Sequence, residues 1–168
     1  IDGDNPMSLV DNLRNLPLYL TQGEHDSLVD ITHSRRMVET LKKLSFTFKF
    51  DEIKDENHWI YFDNACYEAS LDWFDKYRRD LFPRLITYTT YSPKYGKAYW
   101  VEIKELKEWG KPADIRAEVK TNNVIEVKTK NVAALSVKFP KSLLDPARPV
   151  VLQWNNEKVF GGNWQSQA

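Results

Sequence analysis

One cysteine, six glycines, no excess of either charge and no long apolar run describe this chain of 168 residues first by what it lacks. A lone Cys66 excludes an intramolecular disulfide framework and leaves the compartment open. Lys plus Arg, 24, equal Asp plus Glu, 24, so no net field draws in nucleic acid or an anionic membrane, and neither is expected as a partner. No stretch of about 18 apolar residues could span a bilayer, and the start is not the charged-then-apolar leader of a secreted protein. Ile1 is not a methionine, so the true N-terminus is expected upstream. HExxH and equivalent ligand spacings are missing, which leaves Glu24, His25 and His33 as ordinary surface polar residues rather than a metal site. No serine stands in a GxSxG turn, the strand-to-helix elbow that exposes a nucleophile. Repeats and low-complexity tracts are lacking too.

What is present is a hydrophobic content of 42%, ample for a core. Residues 1–14 carry turn residues and then Leu9, Val10 and Leu13 at helical spacing, a loop with a short helix. Leu16 to Thr21 is nearly continuous and apolar, as in a strand buried in a parallel sheet, with Pro17 tolerated only at its start. A turn with Gly23 and Asp26 follows. Asp30 or Thr32 can then cap a helix to about Leu44, with Met37, Val38, Leu41 and Leu44 inward and Arg35, Arg36, Lys42 and Lys43 outward. Phe46, Phe48 and Phe50 alternate with Thr47, Lys49 and Asp51, the period of a strand near a sheet edge. Strand, helix, strand makes a βαβ unit. After His58, Asp63 can cap a second helix to about Asp80, with Cys66, Ser70, Trp73, Phe74 and Tyr77 on its buried side, and Phe82-Pro83 ends it.

From Arg84 the pattern changes. Seven β-rich segments, Leu85–Tyr91, Ala98–Leu106, Ala113–Lys120, Val124–Thr129, Val132–Phe139, Val150–Trp154 and Lys158–Phe160, are separated by turn residues. They predict an antiparallel β-sandwich, so the fold class is α/β plus all-β. The domains are 1–82, a partial Rossmann-like layer, and 83–168, the sandwich, with a loose tail from Asn163 to Ala168.

Gly23-Glu24-His25-Asp26 and His33-Ser34-Arg35-Arg36-Met37 resemble the end of an α/β-hydrolase catalytic domain of the prolyl-oligopeptidase-like and dienelactone-hydrolase-like esterases and peptidases. In that resemblance Asp26 matches the triad acid and His58, followed by Trp59, the triad histidine. The β-rich remainder resembles the immunoglobulin-like domain appended to some members, in the Tyr99–Ile103 stretch and a closing hairpin over Pro149–Gly161. Asn57 stands where the family usually has glycine, and the nucleophile, the oxyanion-hole loop and the first strands of the family pattern are not in this sequence.

The resemblance implies the C-terminal portion of a serine hydrolase that cleaves an ester or peptide bond without metal or organic cofactor, with Asp26 as acid and His58 as general base. Alone it is expected to be inactive for want of a nucleophile. Its open sheet edge would be covered by the missing N-terminal hydrolase portion, by a second copy or by strand exchange. The composition does not encode the compartment; the family resemblance slightly favours a periplasmic or secreted location. From the residues alone, Asp26 also suits a helix-start acid, His58 a loop histidine packed on Trp59, and Cys66 a buried inert thiol. The second functional reading is a non-catalytic binding module for a glycan or protein partner, with Tyr88, Tyr91, Tyr95, Tyr99, Trp100, Trp109 and Trp154 as a platform; core or interface packing is the other fate for that set.

Overall fold

The computed structural model describes residues 5–60 and 64–163. They form two compact units. One is Leu13–Arg79; the other joins the segment ending at Asn12 to the chain from Asp80 onward. The division expected from the sequence, 1–82 and 83–168, differs from this at the start, where a segment that precedes the first strand packs with the β-rich part.

The Leu13–Arg79 unit is built on two parallel strands, β1 (Leu18–Gly23) and β2 (Phe48–Ile53), paired in register from Leu18 opposite Phe48 to Gly23 opposite Ile53. Helix α1 (Ile31–Lys43) connects them. Asp30 starts it, accepting from the Thr32 amide at 2.8 Å. Val38 and Leu41 are buried on its inner face, while Arg35, Arg36, Lys42 and Lys43 stay exposed. It stops at Leu44 because Ser45 turns left-handed, at φ 55°. The Phe46 amide then donates to Leu41 O and the Ser45 amide to Lys42 O, a Schellman cap with the Phe46 ring buried.

Helix α2 (Asn64–Phe74) is shorter than the sequence suggests. The Arg78 guanidinium donates to the carbonyls of Asp75 and Tyr77 at 3.1 and 2.9 Å, satisfying groups that a continuing helix would use itself. Cys66, Ser70, Trp73 and Tyr77 are half-buried as the pattern implies, but Phe74 is exposed. The expected cap at Asp63 lies outside the described residues.

In the other unit, β3 (Leu85–Thr90), β6 (Ala113–Val119), β7 (Val124–Lys130), β9 (Val150–Trp154) and β10 (Glu157–Gly162) form one sheet, ordered β10-β9-β7-β6-β3. A smaller sheet, β4-β5-β8, comes from β4 (Lys97–Ala98), β5 (Val101–Leu106) and β8 (Val132–Val137). Strict alternation on β6 turns Ala113, Ile115, Ala117 and Val119 inward. They meet Val101, Ile103 and Val132 of the smaller sheet in one apolar core.

Two expectations are corrected here. The stretch read as one strand over Ala98–Leu106 is a hairpin: Tyr99, at φ 54°, and Trp100 form its corner, with Ala98 opposite Val101. A left-handed aromatic residue costs roughly 1–2 kcal/mol. Burial of Trp100, 1% exposed, offsets that cost, and its indole N–H donates to Pro83 O at 2.8 Å. Second, the sheet is not wholly antiparallel, because β9 runs parallel to β7 with Val124 opposite Val151. After β7 the chain crosses to the smaller sheet for β8 and returns through residues 138–149. Buried Asn123 ties that return down, donating to Asp145 O and Arg148 O and accepting from the Asp145 amide.

The segment before the first strand has a defined task. Residues Pro6–Leu13 form a 3₁₀ helix, and the Asn12 side chain donates to Thr89 O at 3.0 Å and accepts from the Thr89 amide at 2.6 Å. An edge strand with exposed N–H and C=O groups invites foreign strands; here an amide side chain occupies those groups on β3.

Replacing Trp100 with leucine removes the indole hydrogen bond and leaves a void in the core. We expect the β-rich unit to lose about 3–5 kcal/mol in urea denaturation; a loss under about 1 kcal/mol would contradict the placement of Trp100 at its centre.

Candidate active site

The site grows from the carboxyl ends of β1 and β2. Gly23 closes β1, and a side chain there would meet the backbone: an added Cβ would lie 2.3 Å from Asn57 O and 2.4 Å from Glu56 O. Glycine is required because the loop after β2 crosses directly over it. Backbone bonds hold that crossing in place, with the Glu24 amide donating to Ile53 O at 2.9 Å and the His25 amide to Glu56 O at 2.8 Å. Asn57 accepts the Trp59 amide on its own Oδ1 at 2.9 Å and so turns the loop with a side chain.

This crossing brings Asp26 and His58 together. His58 Nδ1 lies 2.9 Å from Asp26 Oδ2, with the imidazole side chain 25% exposed and the carboxylate 5%. The carboxylate accepts four hydrogen bonds. The amides of Leu28 and Val29 reach Oδ1 at 2.9 and 2.8 Å, while His58 Nδ1 and Gln22 Nε2 reach Oδ2 at 2.9 and 3.3 Å. Burial by itself would raise the Asp26 pKa. The Val29 amide, the His58 bond and the Leu28 amide outweigh it and bring the group from the ordinary 3.8 down to about 2. An ionised Asp26 can only accept, so in its neutral form His58 donates from Nδ1 and carries its lone pair on Nε2. That is the tautomer a general base needs. The Trp59 ring stands edge-on to the imidazole at 5.5 Å between centroids.

The remaining residues weighed from the sequence fall elsewhere. His33 is exposed in the first turn of α1. His25 and Glu24 approach Asp55 instead, with their possible ligand atoms within 4.8 Å of one another; His25 and Asp55 are exposed, and His33 is not part of the group. Cys66 is half-buried on α2. Of the aromatic set in the β-rich unit, Trp100 is core, Tyr88, Tyr99 and Trp154 pack against the core, and Tyr95 and Trp109 stand exposed at 63% and 77%. They do not make a row on one face. An apolar recess of about 200 Å³ lies among Leu135, Val137, Phe139, Leu152, Trp154 and Phe160, continuous with that core.

Gln22 carries only a faint signal in the sequence. It is a polar residue near the end of a strand that starts apolar, and the structure shows it 7% exposed beside Asp26.

Parallel strands whose carboxyl ends present a buried carboxylate hydrogen-bonded to an imidazole form an arrangement that acid–base chemistry on an α/β sheet can use. In the comparison with family models, residues 3–80 match the model of the prolyl oligopeptidase family. The match supports a serine-hydrolase-like family for this stretch and does not extend over the β-rich strands. No curated protein and no solved structure matches the chain.

Two outcomes follow from this geometry. A carboxylate whose pKa is lowered by folding stabilises the fold above its unfolded value of 3.8, and that contribution is lost as pH falls toward about 2. Asp30, Asp51, Glu52, Glu118 and Glu126 are lowered as well, so the comparison that isolates Asp26 is with Asp26→Asn. Between pH 5 and pH 2 the urea midpoint should fall further for the parent than for this variant, and parallel curves would contradict the four-donor environment. Gly23→Ala should push the loop carrying His58 away and cost about 1–3 kcal/mol in the same assay; an alanine variant of parental stability would show that the crossing is looser than described.

Proposed function

We propose that Asp26 and His58 are the acid and general base of a serine hydrolase that cleaves an ester or peptide bond, and that its nucleophile lies on polypeptide other than these 168 residues. The observation that carries this reading is the 2.9 Å contact between a buried carboxylate and His58 Nδ1, within the stretch that matches the prolyl oligopeptidase family. Serine attacks the carbonyl while His58 Nε2 takes its proton. The imidazolium so formed is stabilised by Asp26 and then protonates the departing amine or alkoxide; water repeats the cycle to release the acyl group. Asp26 before His58 agrees with the chain order of α/β-hydrolases, in which the serine comes first.

The two-stranded sheet supports the second part of the proposal. Leu18, Tyr19 and Leu20 are only half-buried although they form an apolar strand, whereas β2 carries Lys49, Asp51 and Glu52. Charges suit an outer strand, and the apolar strand suits an inner one. We therefore place the partner, an N-terminal hydrolase portion or a second copy, along the free edge of β1. The β-rich unit, read as an appended immunoglobulin-like sandwich, would then serve as an attached domain rather than a source of catalytic groups.

In the protein that contains this chain together with its serine, His58→Ala and Asp26→Asn should each lower kcat on an activated ester by at least about 10³-fold with little change in KM. The isolated chain should neither hydrolyse that ester above the buffer rate nor react with a fluorophosphonate. Turnover unchanged by His58→Ala, or fluorophosphonate labelling of a serine in this chain, would overturn the assignment.

A further inference from the structure

We propose that Gln22, locked by Ser34, positions Asp26 for its bond to His58; the inference rests on the acid–base reading above. Gln22 is the next-to-last residue of β1, and burying an amide there is costly unless its hydrogen bonds are made. They are made in one orientation. Nε2 faces two groups that can only accept, Val29 O at 2.5 Å and Asp26 Oδ2 at 3.3 Å, so the amide nitrogen must lie on that side. Its oxygen accepts from the Ser34 hydroxyl, on the first turn of α1.

The consequence lies in which oxygen Gln22 holds. Asp26 Oδ1 is fixed by two backbone amides of its own turn, which would survive any change at residue 22. Oδ2, the oxygen that faces His58, has no backbone donor among the described residues; besides the imidazole, Gln22 is the one described residue that donates to it. A carboxylate anchored at one oxygen can still swing the other. Gln22 removes that freedom, and Ser34 removes the corresponding freedom of Gln22 by tying it to a rigid helix start. The chain Ser34, Gln22, Asp26, His58 therefore runs from the scaffold to the base, with Gln22 and Ser34 as positioning residues that never touch substrate.

The test reads the His58 tautomer directly, by long-range ¹H–¹⁵N correlation in the chain near neutral pH, with Gln22→Met, Ser34→Ala and Ser34→Thr compared against the parent. Methionine keeps the length and apolar packing of glutamine without its amide. In the parent, neutral His58 should carry its proton on Nδ1. Gln22→Met should lower that fraction at least about twofold while the backbone spectrum stays folded. Ser34→Ala should shift it in the same direction by less, and Ser34→Thr, which keeps a hydroxyl, should restore it. Parental tautomer ratios in both Gln22→Met and Ser34→Ala would overturn the positioning role and leave the acid–base reading standing. Should Gln22→Met fail to fold, Ser34→Ala against Ser34→Thr decides alone. A parent with the proton on Nε2 would sink both readings at once.

Discussion

The close passage of the His58 loop over Gly23 is the constraint on which the rest of the first unit depends. Two carbonyls lie where a side chain would begin, so only a residue without a Cβ lets the loop after β2 descend onto the end of β1. Everything chemical follows from that descent. It carries His58 to within hydrogen-bonding distance of Asp26, and it does so through backbone bonds rather than through the acid–imidazole contact itself. The contact is therefore a product of the scaffold, as a site that must survive changes in protonation requires.

Asp26 is fitted to stay ionised. Four donors surround a carboxylate that is almost wholly out of solvent, and the balance between burial, which opposes charge, and hydrogen bonding, which favours it, falls on the side of charge. An ionised acid settles the tautomer of its partner and stabilises the imidazolium when a proton arrives. The family match over residues 3–80 covers the strands, helix and loops that build this arrangement. The β-rich unit instead spends its sequence on a two-sheet core, with asparagine side chains at positive φ turning its tight connections and Asn12 occupying one of its edges.

Much of this was legible in residue order because the relevant physics is local. Apolar spacing on α1 reports the face it buries, and Gly23 and Asp26 mark a turn by their own backbone preferences; the alternation on β2 and the apolar start of β1 mark strands but not their burial, since Phe48–Ile53 and Leu18–Thr21 are all half-buried in the two-stranded sheet. What escaped was decided at a distance or against the usual residue choice. Tyr99 adopts a conformation normally left to glycine or asparagine because Trp100 gains a buried position beside it, so a hairpin corner resembled mid-strand. The parallel pairing of β7 with β9 depends on where a long return segment is tied by Asn123, which no period encodes. α2 ends early through a guanidinium that caps carbonyls from beyond it. Within the site the acid and histidine carried a motif, whereas Gln22 carried only its polarity, and a polar residue at a strand end ordinarily means solvent.

The most direct test of the central claim is a crystal structure of the protein that contains this chain together with its serine, trapped as a phosphonate ester by a fluorophosphonate. The account predicts an adduct whose serine Oγ lies about 2.6–3.2 Å from His58 Nε2, on the ring nitrogen opposite the one that meets Asp26. An adduct on a serine remote from His58, or a protein that hydrolyses its substrate yet forms no adduct, would contradict it.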